Sequence, residues 1–180
     1  MTLKFLFSSV IIFALALPGT CFADDSVDVD GANAIGSRLI AVRVISKSCT
    51  GVGTPEQDQA IASSRSEWDA RNAEYVRAMR VYVGFAAGSL EKEMKGFGQK
   101  TLVVIRDDMA EAALPLIKAA LGSPSVGSCQ LAIQKIAAGE LDVTTAGNRS
   151  QVDSVKKEWG PLFIESEHIT FDIMPIIDGN

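Results

Sequence analysis

The chain carries a single histidine among 180 residues. One imidazole cannot build a multi-histidine metal centre, and it weakens any Ser-His-Asp triad, for which no Gly-x-Ser-x-Gly elbow is present. There is no Cys-x-x-Cys and no Cys-x-x-Cys-His, so a thioredoxin-type redox centre and covalent haem attachment are both excluded. No proline falls between Pro55 and Pro115, which leaves a long stretch without a breaker. Internal repeats and low-complexity runs are missing. Positive charge is short: 17 Lys and Arg stand against 22 Asp and Glu. Nucleic acid and anionic membrane both require a basic face, so neither is an expected partner, whereas a cationic one fits the mild acidity.

The first 23 residues read as a cleaved export signal. Lys4 supplies the positive end, Leu3 to Leu17 is apolar apart from that lysine and Ser8-Ser9, and Pro18-Gly19 precedes the small residues Cys21 and Ala23. The apolar run is too short to span a membrane. Cys21 raises the alternative of a lipid anchor. The preceding Leu17-Pro18-Gly19-Thr20 lacks the leucine and small residue that such processing needs, so ordinary cleavage before Asp24 is the expectation. Loss of Lys4 would take the net charge from −5 to −6. The remainder suits one domain with a full core, in the periplasm or outside the cell.

Cys49 and Cys129 then remain. In an oxidising compartment an even pair reads as a disulfide, the alternative being two separate buried thiols.

The longest helical signal runs from about Thr54 to Gly96. Thr54 can accept from the Gln57 amide, Gln57 can reach back, and Pro55 occupies the first helical position, where its missing N–H costs nothing. Ile61, Trp68, Tyr75, Met79, Val83, Ala86, Leu90 and Met94 follow at helical spacing. Such a stripe needs other helices along it. The segment Val81 to Gly88 is apolar nearly all round and is expected in the middle of the fold, with Gly84 and Gly88 allowing close approach of another backbone; dimerisation through that face is the alternative.

Around this helix the expected order is a loose acidic stretch over 24–33, then one helix from Ala34 to Cys49 with Ile35, Leu39, Val42, Ile45 and Cys49 on its buried side. Ser26 to Gly31 has calcium-loop spacing, but the twelfth position is Ser37 and not a bidentate glutamate, so a solvated tail is the reading. A third helix over Gln99 to Leu121 should kink or split at Pro115. A shorter helix after Ser123-Pro124 carries Cys129, Leu131, Ile133 and Ile136. The last starts near Ser150, with Val152, Val155, Trp159, Leu162, Ser166, Ile169 and Ile173 as its seam and a bend or a fresh helical start at Gly160-Pro161. The β-branched content over 38–46 and 101–106 leaves strands there as the alternative. The expected fold is an all-α bundle of four or five helices over 34–180, with one disulfide.

Three constellations could carry chemistry. Glu165 and His168 share a helical face, with Asp172 one turn on. Di-iron bundles need that motif twice, so a surface histidine beside acids is expected and no metal. Haem between His168 and Met79, Met94 or Met109 is conceivable, yet methionine at helical spacing is core filler, and no cofactor is expected. Finally, Arg65, Trp68, Arg71, Asn72 and Tyr75 interrupt the apolar seam. They could line a ligand pocket or a partner patch. The blander reading leaves Arg65 and Asn72 in water. Taken together, the residues point to an exported, non-enzymatic helical binding protein that acts by contact with another exported or envelope protein, as an adaptor, inhibitor or immunity-like factor. The alternative is a periplasmic carrier or sensor of a small ligand, metal or haem held between helices. A homodimer stays open.

Overall fold

A computed structural model describes residues 25–164. Five helices pack as a bundle: α1 (Asp25–Cys49), α2 (Pro55–Glu93), α3 (Phe97–Ala120), α4 (Val126–Ala137) and α5 (Arg149–Trp159). Two short 3₁₀ turns, Val143–Thr145 and Pro161–Ile164, follow α4 and α5. No strand occurs among the described residues, so 38–46 and 101–106 are helical. No helix among them is long and apolar enough to cross a membrane.

The long helix α2 begins where its sequence signals place it. Thr54 Oγ1 accepts from the Gln57 amide and Gln57 Oε1 accepts from the Thr54 amide, with Pro55 at the first helical position. α2 packs against all four other helices. Its line of Ile61, Trp68, Tyr75, Met79 and Val83 is buried, but the line runs out at Met94, which is exposed. Phe85 also departs from expectation: the stretch around it is only half enclosed, and the ring lies about half in solvent.

α1 contributes the most completely enclosed face. Ile35, Leu39, Val42, Ile45 and Cys49 are all sealed from solvent, as the four-three-three-four spacing requires. Helix already covers 25–33, so the acidic stretch expected to be loose is helical. Asp28 is buried and accepts from Trp159 Nε1 of α5 at 2.8 Å and from Ser154 Oγ at 3.4 Å, which fastens this part of α1.

Glycine sets the closest helix contacts, but at positions other than those expected. A Cβ at Gly31 would run into the Gln151 carbonyl and Val155 of α5, and one at Gly36 into Met109 of α3. At Gly31 the obstacle includes backbone, so α1 and α5 meet there at a distance that alanine would forbid, whereas at Gly36 it is the end of the Met109 side chain. At Gly84 and Gly88, by contrast, a Cβ would meet nothing within 4 Å, so no backbone approaches there.

α3 continues through Pro115 as one helix, where a kink or split was expected. Pro115 and Glu111 both lie on the exposed side, so the hydrogen bond lost between them costs less than it would in the core. Cys49 and Cys129 form a disulfide with Cα atoms 5.5 Å apart, joining the first and fourth helices across 80 residues of chain. On a loop-entropy basis, closing such a span removes roughly 4 kcal/mol of freedom from the unfolded chain.

In α4 the buried face is Cys129, Ala132 and Ile136, while Leu131 points outward. In α5, Val152 and Val155 are sealed and Trp159 is half-buried, matching the expected seam. Gly160-Pro161 then resets the chain into a 3₁₀ turn, and Leu162 falls out of line and is exposed. The remainder of that expected seam lies outside the described residues.

Candidate functional site

Three of the five residues singled out on α2, Trp68, Arg71 and Asn72, converge on one target, the connection between α4 and α5. Trp68 is fully buried, and its Nε1–H donates to the Leu141 carbonyl at 2.9 Å. Asn72, only 1% exposed, spends its whole amide. Its Nδ2 donates to the Trp68 carbonyl at 2.9 Å and to Asp142 Oδ1 at 3.1 Å, and its Oδ1 accepts from the Val143 amide at 2.8 Å. Arg71 makes a forked pair with Asp142, Nε to Oδ2 at 2.8 Å and Nη2 to Oδ1 at 3.1 Å, and Nη2 also donates to the Ile136 carbonyl at 2.7 Å. That hydrogen bond to the Asp142 carboxylate raises the Arg71 pKa above its ordinary value, with burial opposing. Arg38 of α1 closes the set from the other side, donating from Nε to the Asp142 carbonyl at 3.1 Å.

The cluster is thus a clasp. The expectation of a wet Asn72 is corrected: one turn from Trp68 on the buried line, it has no route to water and a backbone amide to satisfy. Arg65 does remain substantially exposed, with Asp69 at 3.9 Å. Tyr75 sits one turn beyond the clasp. Its ring is buried, its hydroxyl donates to Asp153 at 3.0 Å, and the Lys156 ammonium lies 4.8 Å from the ring centroid. Burial first, then the Asp153 carboxylate, raises the Tyr75 pKa. Lys156 is itself held by Glu74, which raises the lysine and lowers the carboxylate.

With Trp68, Asn72 and Tyr75 sealed, the α2 patch offers a partner little beyond Arg65 and the outer edge of Arg71. Of the methionines considered as haem ligands, Met79 and Met109 are core residues and Met94 is exposed. Among the described residues, no group of three or more His, Cys, Asp or Glu is placed to hold a metal. Glu165, His168 and Asp172 lie outside the described residues.

A second feature, not anticipated from sequence, is the outer face of α3. Its inner face is the expected one, with Leu102, Met109 and Ala113 in the core. Phe97, Val103, Val104 and Leu114 nevertheless stand 43%, 41%, 40% and 62% exposed. At 100° per residue these four fall within about a third of the helix circumference. Lys100, Asp107, Glu111 and Lys118 share that arc, and the Lys100 ammonium lies over the Phe97 ring at 5.0 Å. Beside them the Asp108 carboxyl is pushed up by burial, then by Glu111 and Asp107. The signal was present in sequence, since Val103-Val104 and Leu114 lie off the buried stripe, but a strongly apolar helix hides a second face.

Compared with protein-family models, characterised proteins and solved structures, the chain finds no match. The residues themselves are the basis for a function.

Proposed function

We propose that this protein is an exported, non-enzymatic helical binding protein that acts through contact with another protein. The observation that carries the reading is the outer face of α3. A surface helix needs one apolar stripe for its own fold. This one spends Leu102, Met109 and Ala113 on the core and still presents Phe97, Val103, Val104 and Leu114 to solvent. Large apolar groups interleaved with charge are the composition of a contact surface, where the apolar groups supply affinity and the charges select the partner. On this arc the acids Asp107 and Glu111 are matched by Lys100 and Lys118, so it is the net charge of −5 of the whole chain that favours a cationic partner. The α1–α4 disulfide supports an oxidising compartment.

The test is recovery of tagged protein from its native envelope, wild type beside a Val104→Glu/Leu114→Lys variant. Both changes are at exposed positions, so thermal stability should stay within about 0.5 kcal/mol of wild type. The expected result is a cationic partner bound by wild type and lost from the variant. A partner retained by the variant would move the contact elsewhere. Recovery of no protein, together with a co-purifying small molecule, would overturn the reading in favour of the carrier.

A further inference from the structure

A cleft of about 320 Å³ opens between α1, α3 and the start of α5. Its apolar wall is Ala112, Pro115 and Leu116 of α3. Its polar wall holds Asn33 and Arg38 of α1, with Asn148 at the head of α5. Arg38 is the unusual member. It is partly buried, and its one hydrogen bond to protein uses Nε, which donates to the Asp142 carbonyl at 3.1 Å. Arg43, Arg65, Arg71, Arg106 and Arg149 each meet a carboxylate. The two terminal nitrogens of Arg38 have no acceptor among the described residues. Burial lowers the Arg38 pKa with no anion to compensate.

The cleft therefore combines a guanidinium edge short of a carboxylate with an apolar wall facing it. Asp30 lies on the rim, which disfavours phosphates and other multiply charged anions.

We infer that this cleft binds a peptide carboxylate, its oxygens on the terminal nitrogens of Arg38. The choice of a peptide over a free acid rests on the contact reading above; the carboxylate itself does not. Guanidinium and carboxylate match in a forked, planar geometry that lysine cannot reproduce. The wall of Ala112, Pro115 and Leu116 takes small apolar side chains beside the carboxylate.

The experiment titrates the folded, disulfide-bonded protein with N-acetyl-alanyl-alanine and follows the Arg38 Nε–H and the Asn33 and Asn148 side-chain amides by NMR. Saturable shifts at those three groups are expected. Arg38→Gln should weaken binding at least tenfold. Ala112→Leu, which fills the cleft at an exposed helical position and leaves the Arg38 to Asp142 bond alone, should do the same. Absence of shifts, or shifts unchanged in both variants, would overturn the site. Equal binding of the amide-capped dipeptide would overturn the role of the carboxylate, and equal binding of butyrate would overturn the assignment to peptide. A protein that binds the dipeptide but recovers no envelope partner would retain this cleft while losing the α3 reading.

Discussion

Replacing Asn72 by alanine should cost far more than its polar side chain suggests. The Val143 amide is buried and donates to Asn72 Oδ1 at 2.8 Å. Alanine leaves that N–H with no acceptor in a place water cannot reach, which costs about 1–3 kcal/mol. The bond from Nδ2 to the Asp142 carboxylate goes as well; Arg71 still holds that carboxylate, so about 1 kcal/mol is a fair charge-assisted share. The combined loss is about 2–4 kcal/mol, or roughly 5–15 °C in Tm for a chain of this size. Urea unfolding with an unchanged m value would measure it, and hydrogen exchange at the Val143 amide would localise it. Asp142→Ala should be strongly coupled to it in a double-mutant cycle, because the two side chains share one bond. A loss under 0.5 kcal/mol together with unchanged exchange at Val143 would refute the clasp.

Two further outcomes follow from close approach and from charge. Gly31→Ala should destabilise by about 1–3 kcal/mol because its Cβ collides with the Gln151 carbonyl, whereas Gly88→Ala, facing open space, should stabilise by about 0.5–1 kcal/mol; melting curves of the two variants would decide, and a shared sign would refute the packing. Glu91 accepts from the Gly96 and Gly98 amides at 2.9 and 3.0 Å, and these bonds hold its carboxyl below the ordinary range. Because the folded value is depressed, the contribution is present in full above the unfolded carboxylate range and is lost as pH falls through the folded value. Exchange at the Gly96 and Gly98 amides, corrected for intrinsic rate, should therefore speed up on acidification in wild type and be fast at every pH in Glu91→Gln.

What could be read from sequence was whatever depends on neighbours in the chain. The capping box at Thr54 is complete within four residues, and the buried line on α1 follows from helical geometry alone. The disulfide was legible because only two cysteines survive the expected cleavage. The clasp was not, because Asn72 and Asp142 meet across 70 residues and nothing local marks Asp142 as the partner. Asn72 read as a wet gap in a seam when it is the buried acceptor for a distant backbone amide. The glycines failed for the same reason. Gly84 and Gly88 have the spacing of a contact motif but face nothing, while the isolated Gly31 carries the close crossing. Spacing reports which face a residue occupies; it does not report what stands opposite. Leu162 shows the complementary error, a periodicity extended past Gly160-Pro161 although the helix had ended.

The two tryptophans explain why the binding surface has to be sought away from the polar cluster. Each lies in the seam of its own helix and uses its single N–H to fasten another part of the chain: Trp68 the Leu141 carbonyl after α4, Trp159 the Asp28 carboxylate at the start of α1. The α4–α5 connection buries Leu141, Val143 and Ala146 in the core, and the backbone polar groups buried with them need directional bonds. Once committed to that task, Trp68 and Asn72 have no unpaired donor left for a ligand, and Arg71 keeps only Nη1. Arg38 is the exception, because Asp142 takes its Nε through a carbonyl while giving its carboxylate to Arg71 and Asn72. The guanidinium is thereby placed beside an anion that is already occupied. If Asp142→Ala released Arg71 to compete for the same incoming carboxylate, dipeptide binding at the cleft would change in step with the Arg71 side-chain signals. If the Arg38 signals alone responded, the clasp and the cleft would be independent.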